Sequence, residues 1–500
     1  MKTKNIIKIL SLSLLFVFTT SCGDDFLDTN PSQTISEDDF GPSAGLLPNL
    51  NDAVLNGIYS IMIAQGNNVD EYGHKGMDLW GDILSTDVAN STNVWGWYRD
   101  FANLQITTDN TQRINRVAWS YYYNVIRSAN VFIKSSGGND FTPTTDAGKH
   151  AMGQAKAIRG YAYFYLAQYF TNEYSAGAET VPLMIDPEQD LQPKSTASDL
   201  YDQIIKDLSE AITLLDGFNR TAKNKINQNV ARALLAYTYG AIGTPDANAK
   251  AYTLTNEILA STSATIMTNA EVAGGADPST YTTGGFDKID TPGWIWGFDL
   301  TPAMGFGLTS WWAMMDQYTY GYQSAGNLMA MDQALFDQMP ANDIRRTQFT
   351  TNPASSFYLA ANNKFYAPAR TIDGTMQVTM DYVFMRIAEI HLLNAEMAAK
   401  TGNDAAARTS LKAVVGLRRP GDTAYIDALS GQALQDEIYL QTRLELYGEG
   451  KSYLAMKRNK TTVTRSTNHL FHNNTSYQYN DDILKFEIPL SEIQNNPNIN

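Results

Sequence analysis

Two pairs of helix-forming segments share a side-chain pattern that restricts the fold. The segments 227–243 (NQNVARALLAYTYGAIG) and 382–402 (YVFMRIAEIHLLNAEMAAKTG) each mix alanine with large aromatic or aliphatic residues. Each is followed, after a short turn, by a second helical segment, 248–260 and 404–417 respectively. Pairs of about 34 residues that combine small and large side chains are the tetratricopeptide pattern, in which successive helices stack into a solenoid. The pattern predicts a tetratricopeptide-like helical core.

Periodic apolar residues predict further helices. In 197–215 (ASDLYDQIIKDLSEAITLL) apolar residues recur at three- and four-residue steps, as in an amphipathic helix, and Ser198 is well placed as its N-cap. The predicted fold class is therefore mainly α with minor β structure, and residues 49–260 and 381–460 form its helical repeat scaffold. The other predicted helices are 51–62, 117–135 and 151–170.

Residues 261–380 interrupt the helical pattern. Gly, Thr, Asn and Pro cluster there with Trp, Tyr and Met, and helical periodicity returns only around 330–339. A long irregular insertion is usually functional or disordered, and its aromatic residues argue against disorder. We predict a loop-rich ligand-binding insertion at 261–380. Residues 461–500 are predicted to close a single domain, 49–500, with a strand-like run that ends at Pro489.

The first 21 residues have the order of a secretory signal. Three lysines precede the apolar run 10–18, which is too short to span a bilayer, and small or polar residues follow it. Cys22, the only cysteine of the chain, comes next, as in bacterial lipoproteins. We predict a signal peptide at 1–21, lipidation at Cys22 and a tether at 22–48. The alternative is an unpaired thiol in a frayed terminus.

The charge balance excludes one large class of partners. The chain has 37 Lys and Arg against 52 Asp and Glu, a formal net charge of -15. An acidic surface argues against binding nucleic acid, and against attraction to anionic lipid by charge.

Candidate metal ligands are few. Glu71, Asp78 and Asp82 are candidates for a structural calcium site, but their spacing is not that of a regular calcium loop, and a solvated acidic loop is the favoured alternative. His469 and His472 fit one face of a helix, but no carboxylate accompanies them, so we expect no metal there. The sequence predicts no catalytic residues and no cofactor.

Aromatic residues provide the candidate ligand-binding site. A Trp or Tyr ring covers the flat apolar face of a sugar, while neighbouring polar groups bond its hydroxyl rim. The segment 93–100 (NVWGWYRD) carries two such rings beside polar donors. The alternative is that both rings fasten this loop to the helices. The candidate residues here are Trp95, Trp97, Tyr98, Arg99 and Asp100.

Further candidates lie in the insertion. The segment 310–322 (SWWAMMDQYTYGY) carries Trp311, Trp312, Tyr318 and Tyr320. Adjacent Trp side chains point to opposite sides of an extended segment, so at least one of the first two is expected to be exposed. Trp296 is also a candidate, although the alternation of GWIWGFD (293–299) favours a buried strand.

Eight segments, in this order, resemble the conserved blocks of the SusD/RagB family of outer-membrane lipoproteins. Ile344 stands where the family's Asp-Pro-Arg-Arg motif has proline, and 437–460 lacks the Glu-Arg pair and the terminal Arg-Trp usual there. The segments are CGDDFLDTNP (22–31), YNVIRSANVFI (123–133), AKAIRGYAYFYLAQYF (155–170), KINQNVARALLAYTY (225–239), NDIRR (342–346), YVFMRIAEIHLLNAE (382–396), EIYLQTRLELYGEGKSYLAMKRNK (437–460) and FEIPLSEIQNNPNI (486–499).

The resemblance implies a binding protein rather than an enzyme. It implies a SusD-like fold, a lipid anchor at Cys22 on the outer face of a Gram-negative outer membrane, and capture of glycan for a partner SusC-like TonB-dependent transporter, on which the protein acts as a lid. Three alternatives stay open: a peptide-binding member of the family, a lipoprotein glycosidase, and a purely structural partner of the transporter.

Overall fold

Long helices dominate residues 50–274 and 284–499, the part of the chain that the computed structural model describes. The predicted signal peptide, Cys22 and the predicted tether lie outside the described residues. No helix within the described ranges has the length and apolar character needed to cross a bilayer. The α-helices are α1 (Leu50–Ile63), α2 (His74–Leu84), α3 (Arg99–Ala102), α4 (Arg113–Ser135), α5 (Asp146–Phe170), α6 (Ala197–Leu214), α7 (Gln228–Ile242), α8 (Pro245–Ser261), α9 (Asn269–Ala273), α10 (Trp311–Met315), α11 (Gln333–Asp337), α12 (Ile387–Lys400), α13 (Asp404–Arg418), α14 (Ala424–Asp427), α15 (Gly431–Glu445), α16 (Ser452–Asn459) and α17 (Leu490–Asn495).

The long helices stack in chain order. Helix α4 packs on α5, α5 on α6, α6 on α7 and α7 on α8. The stack then continues across the insertion, because α8 packs on α12, which contacts both α13 and α15. This confirms the predicted fold class, a mainly helical scaffold in which successive helices pair.

Small residues explain how the helices approach each other. Every residue of α5 from 151 to 170 is buried, including the three tyrosines at 161, 163 and 165. A Cβ at Gly160 would lie 2.9 Å from the Leu208 side chain of α6, and one at Gly153 would lie 2.9 Å from that of Leu215. The alanine and glycine of the pattern therefore let large side chains of the next helix enter the groove.

The N-cap of α6 differs from the prediction. Thr196, not Ser198, caps the helix, since its Oγ1 accepts a hydrogen bond of 3.1 Å from the Asp199 N–H. The helix begins at Ala197, so Ser198 already lies inside the first turn.

Within residues 50–274 and 284–499, eight short strands form four antiparallel two-stranded sheets. One of them corrects a predicted helix boundary, because residues 382–386 form a strand rather than the first turn of 382–402. The run Tyr-Val-Phe favours a strand, and its partner lies in the insertion, beyond the reach of local periodicity. The pairs are β1 (Val88–Asn90) with β5 (Met329–Met331), β2 (Glu179–Pro182) with β3 (Lys194–Thr196), β4 (Trp294–Phe298) with β6 (Tyr382–Arg386), and β7 (Val463–Thr464) with β8 (Ser476–Tyr477).

The C-terminal segment also differs from the prediction. The strand-like run before Pro489 contains a 3-10 turn, Asp482–Leu484, and no strand. Pro489 stands at the N-cap of α17 instead of closing a strand, in keeping with the rule that proline is tolerated at a helix start.

A buried charge cluster connects the insertion to the scaffold. Glu445, at the end of α15, pairs with Arg386 of β6 at 2.8 Å and with Arg418 of α13 at 2.9 Å. Arg345 of the insertion lies 3.5 Å from the same carboxylate and is held by Asp343 at 2.7 Å. All five side chains are buried, so the NDIRR segment and the two later family-like segments meet in a structural contact.

Candidate functional site

Two loops from distant parts of the chain are joined beside the β1–β5 pair. The ladder continues past the strands, because the Ser91 N–H donates to the Leu328 carbonyl (2.9 Å) and the Leu328 N–H donates to the Thr92 carbonyl (3.0 Å). The Val94 N–H donates to the Gly326 carbonyl (3.2 Å). The loop of predicted site residues is thus fixed to the insertion through its backbone.

Trp95 is held at its backbone and at its indole edge. Its backbone N–H donates to the Asn327 Oδ1 (2.8 Å) and its Nε1–H to the Ala325 carbonyl (2.9 Å). The Asn327 amide also donates to the Trp97 carbonyl (3.1 Å). The ring itself stays 61% exposed. Trp95 therefore presents an oriented face to solvent, as stacking on a ligand requires.

Tyr322 joins the two tryptophans into one aromatic group. Its ring centroid lies 6.2 Å from that of Trp95 and 5.6 Å from that of Trp97. Trp97 and Tyr322 are half-buried, and Tyr320, two residues earlier on the same loop, is 44% exposed. We call Trp95, Trp97, Tyr320 and Tyr322 the aromatic platform.

The three residues after Trp97 divide between the core and a small cavity. Tyr98 points inward and its hydroxyl contacts that of Tyr72, and burial raises the pKa of Tyr98 well above its usual value. Arg99 and Asp100 are exposed and line, with Trp97, a cavity of about 160 Å³. Tyr98 is almost fully buried and contributes only to the wall of this cavity, whereas Arg99 and Asp100 border the aromatic platform.

The expectation that Trp311 or Trp312 is exposed is wrong. Both are buried, at 2% and 1% exposure. They begin the short helix α10, which Ser310 caps by accepting the Ala313 N–H (3.2 Å). On a helix, adjacent side chains diverge by about 100° rather than 180°, so both reach the core. Neither is available to a ligand.

Trp296 is also in the core. It lies on β4, every residue of which is buried, and its ring meets that of Tyr161 at 5.6 Å. Its Nε1–H donates to the Asn224 carbonyl (3.0 Å), so its one polar group is satisfied inside the protein. The alternation that favoured a buried strand was the correct interpretation.

Tyr318 lies next to the buried carboxylate of Asp316. It is half-buried, and the Arg370 guanidinium lies 5.8 Å from its ring. The Asp316 carboxylate accepts hydrogen bonds from the Tyr318 N–H (3.0 Å) and the Thr319 hydroxyl (2.7 Å). Burial raises the pKa of Asp316 to about 6, although these hydrogen bonds oppose the shift. The Asp316 carboxylate therefore fixes the start of the loop that carries Tyr320 and Tyr322.

The solvated acidic loop that was favoured over a calcium site is wrong, because Asp78 and Asp82 lie buried on α2. The three carboxylates considered for calcium have protein partners. Glu71 pairs with Arg113, Asp78 bonds Lys75 at 2.9 Å, and Asp82 accepts the Gly450 N–H at 3.0 Å. Within the described ranges, no group of three His, Cys, Asp or Glu side chains is arranged to hold a metal ion.

The histidine pair is not on a helix. Residues 469–472 form an irregular segment, in which buried His469 bonds Asp332 at 3.1 Å and exposed His472 reaches the Asn103 carbonyl at 3.0 Å. The two rings therefore have separate partners.

A Gly-x-Ser-x-Gly spacing, which is typical of a catalytic serine, occurs at 41–45, outside the described residues. Such a serine requires a strand before it and a helix after it.

Two family models match the chain. The model described as starch-binding and associating with the outer membrane matches residues 25–239, and the model described as the SusD family matches residues 310–500. A search of curated proteins finds no match.

Solved structures share the fold over nearly the whole chain. A SusD-like carbohydrate binding protein from Bacteroides vulgatus is 25% identical, with a TM-score of 0.74 over 90% of this chain and 97% of that one. A SusD superfamily protein from Bacteroides thetaiotaomicron is 23% identical, with a TM-score of 0.73 over 91% and 99%. Surface glycan-binding protein A from Bacteroides uniformis is 18% identical, with a TM-score of 0.69 over 91% and 99%. With family models matching both its N-terminal and its C-terminal part, the chain belongs to the SusD/RagB family.

Proposed function

We propose that this protein is a cell-surface glycan-binding lipoprotein. It captures oligosaccharide or polysaccharide on the aromatic platform and passes it to a partner SusC-like TonB-dependent transporter, for which it acts as a lid. The observation that carries the proposal is the exposed, hydrogen-bonded ring of Trp95, grouped with Trp97 and Tyr322 on two joined loops.

Binding without catalysis fits this surface. Rings fixed by their backbone cover the apolar face of a sugar at little entropic cost, because they are already ordered before the ligand arrives. Arg99 and Asp100, at the edge of the platform, are placed to bond sugar hydroxyls. The matching of a SusD-like carbohydrate binding protein from Bacteroides vulgatus at 25% identity supports the same ligand class.

The cellular place and the partner are part of the proposal. The signal-like segment before Cys22 supports export and lipid attachment. Several acyl chains on one terminus hold a protein stably at a membrane. The family model described as associating with the outer membrane supports that membrane as the location. We place the protein on its exterior face, beside the transporter.

The test is retention of the purified chain on immobilised polysaccharides, with Trp95→Ala as the variant. Interface aromatic residues often contribute about 2 kcal/mol or more, so we expect binding to weaken at least tenfold. The lost Nε1–H hydrogen bond costs about 1 kcal/mol of stability. With about 2.1 cal/mol/K per residue over about 450 residues, that lowers the Tm by about 1 °C.

The matched control is Phe141→Ala, which removes a 46% exposed aromatic ring outside the aromatic platform. It should leave retention unchanged. Unchanged retention for Trp95→Ala, or release of new reducing ends from the polysaccharide by the wild-type chain, would contradict the proposal.

A further inference from the structure

Four segments around the aromatic platform carry no charged side chain, although Arg99 and Asp100 follow one of them and Asp373 precedes another. Residues 91–98 (STNVWGWY), 301–310 (TPAMGFGLTS), 318–328 (YTYGYQSAGNL) and 374–380 (GTMQVTM) contain no Asp, Glu, Lys or Arg, although these make up 18% of the chain. A surface for an anionic ligand would carry Lys or Arg for charge-assisted hydrogen bonds. The composition of these four segments therefore suits an uncharged ligand.

The four segments form one continuous surface. The Tyr320 N–H donates to the Thr375 carbonyl (2.9 Å), and the Val378 N–H donates to the Phe306 carbonyl (2.8 Å). Thr319 pairs with Thr375 in a parallel bridge. The next residues, Tyr320 and Met376, are therefore neighbours whose side chains point to the same side of the paired segments. Both face solvent, so the aromatic platform continues into the segment 374–380.

Large aliphatic side chains stand exposed at this edge. Met376 is 64% exposed, Ile372 54% and Met304 44%. We call these three residues the aliphatic rim. The Gln377 amide donates to the Pro302 carbonyl (2.8 Å), which keeps the segments of Met376 and Met304 together. Such a group of exposed apolar side chains usually marks a binding surface.

Two cations flank these segments, and each also lies against an aromatic ring. The Arg99 guanidinium lies 5.7 Å from the Phe471 ring, and that of Arg370 lies 3.8 Å from the Tyr366 ring. Arg99 also shares its cavity with Asp100. Asp100 offsets the charge of Arg99, and exposed Asp373, between Ile372 and Met376, places a carboxylate at the aliphatic rim, which disfavours an anionic ligand.

We propose that the ligand is an uncharged polysaccharide that carries short acyl esters such as O-acetyl groups. The rings of the aromatic platform cover sugar faces, and the aliphatic rim covers the acyl methyl groups. Sugar hydroxyls gain nothing from contact with Met376 or Ile372, whereas a methyl group buried there gains about fourfold in affinity. This inference rests on the proposed glycan-binding function.

The experiment compares each polysaccharide with its own deacetylated form. Acetylated glucomannan and acetylated xylan are immobilised before and after mild alkali treatment, with polygalacturonate as an anionic glycan and a mixture of tryptic peptides as a further probe. We expect the full chain to bind an acetylated form at least about fourfold more tightly than its deacetylated counterpart. The preference should persist in high salt, which screens charge–charge attraction but not methyl burial.

Variants separate the aliphatic rim from the aromatic platform. Ile372→Ser with Met376→Ser should abolish the preference and bring the two forms to equal affinity. Leu191→Ser with Leu417→Ser, at exposed leucines outside the rim, should keep the preference. Trp95→Ala should weaken both forms alike.

The other possible outcomes refute either the acyl-ester inference alone or the inference together with the proposed function. Equal binding of the two forms by the wild-type chain, or tighter binding of polygalacturonate, overturns the acyl-ester inference and leaves glycan binding intact. Retention of peptides in preference to every glycan, or of no probe at all, overturns the inference together with the proposed function.

Discussion

Replacing Glu445 with Gln tests whether the buried charge cluster holds the insertion to the scaffold. The carboxylate serves three guanidinium groups, of Arg345, Arg386 and Arg418, and all four side chains are buried. An amide of the same shape carries no charge and turns an N–H toward a guanidinium. Removing one member of a buried ion cluster typically costs about 3 to 5 kcal/mol, because the remaining charges stay desolvated.

The expected shift in melting temperature follows from chain size. Unfolding entropy of about 2.1 cal/mol/K per residue over about 450 residues gives about 0.9 kcal/mol per kelvin. Glu445→Gln should therefore lower the Tm by about 3 to 5 °C in a thermal melt followed by circular dichroism. Glu257→Gln is the matched control, since this glutamate also lies on a helix and pairs with Arg232 at 3.0 Å, but its side chain is 49% exposed. Exposed pairs contribute about 1 kcal/mol at most, so its Tm should fall by about 1 °C or less.

The pH dependence gives a second readout. Burial raises the pKa of Glu445, but Arg418 and Arg386 outweigh it and hold that pKa well below its usual range. A depressed pKa contributes stability that is complete above the unfolded-state value, about 4.3, and is lost as the pH falls toward the folded-state value. The Tm gap between wild type and Glu445→Gln should narrow below about pH 4. A gap under 1 °C at neutral pH, or one that widens in acid, would refute the role given to the cluster.

Three further predictions concern a buried tryptophan, a glycine in a turn and the predicted lipid anchor. Trp312→Ala should cost about 3 to 5 kcal/mol and lower the Tm by several degrees, because the ring is buried; a change under 1 °C in the thermal melt would contradict its core position. Gly450→Ala should destabilise the protein more than Gly402→Ala, since both have positive φ but only the Gly450 Cβ would meet a neighbour, 2.1 Å from the Asp78 carboxylate; equal denaturant midpoints would refute this. Cys22→Ala should move the protein from the membrane pellet to the supernatant of fractionated cells, and persistence in the pellet would rule out the predicted anchor.

Local periodicity located most of the long helices, but it gave no individual prediction for α2 or α15. The predicted segments 117–135 and 404–417 correspond to α4 and α13 within a few residues. The alanine-rich pattern also indicated which helices pack closely. What periodicity could not separate was the strand at 382–386 from the helix that follows, because a short apolar run fits a buried strand and a buried helix equally.

The candidate site was predictable only in its exposed aromatic part. Trp95 and Trp97 were predicted to lie on a surface loop because two rings stand there among glycine and polar residues, and Trp95 is indeed exposed. The prediction for Trp311 and Trp312 failed because it assumed an extended segment, whereas a serine N-cap starts a helix there. The contact of Trp95 with Asn327 spans 232 residues, and nothing local in either segment indicates it.

That same separation has a consequence for the folding of the chain. A surface assembled from two segments so far apart in sequence exists only once the intervening helices have folded and brought them together. A partly synthesised or misfolded copy would display loose rings without the fixed indole edge of Trp95. Under the proposed function, only a completely folded molecule can therefore bind glycan.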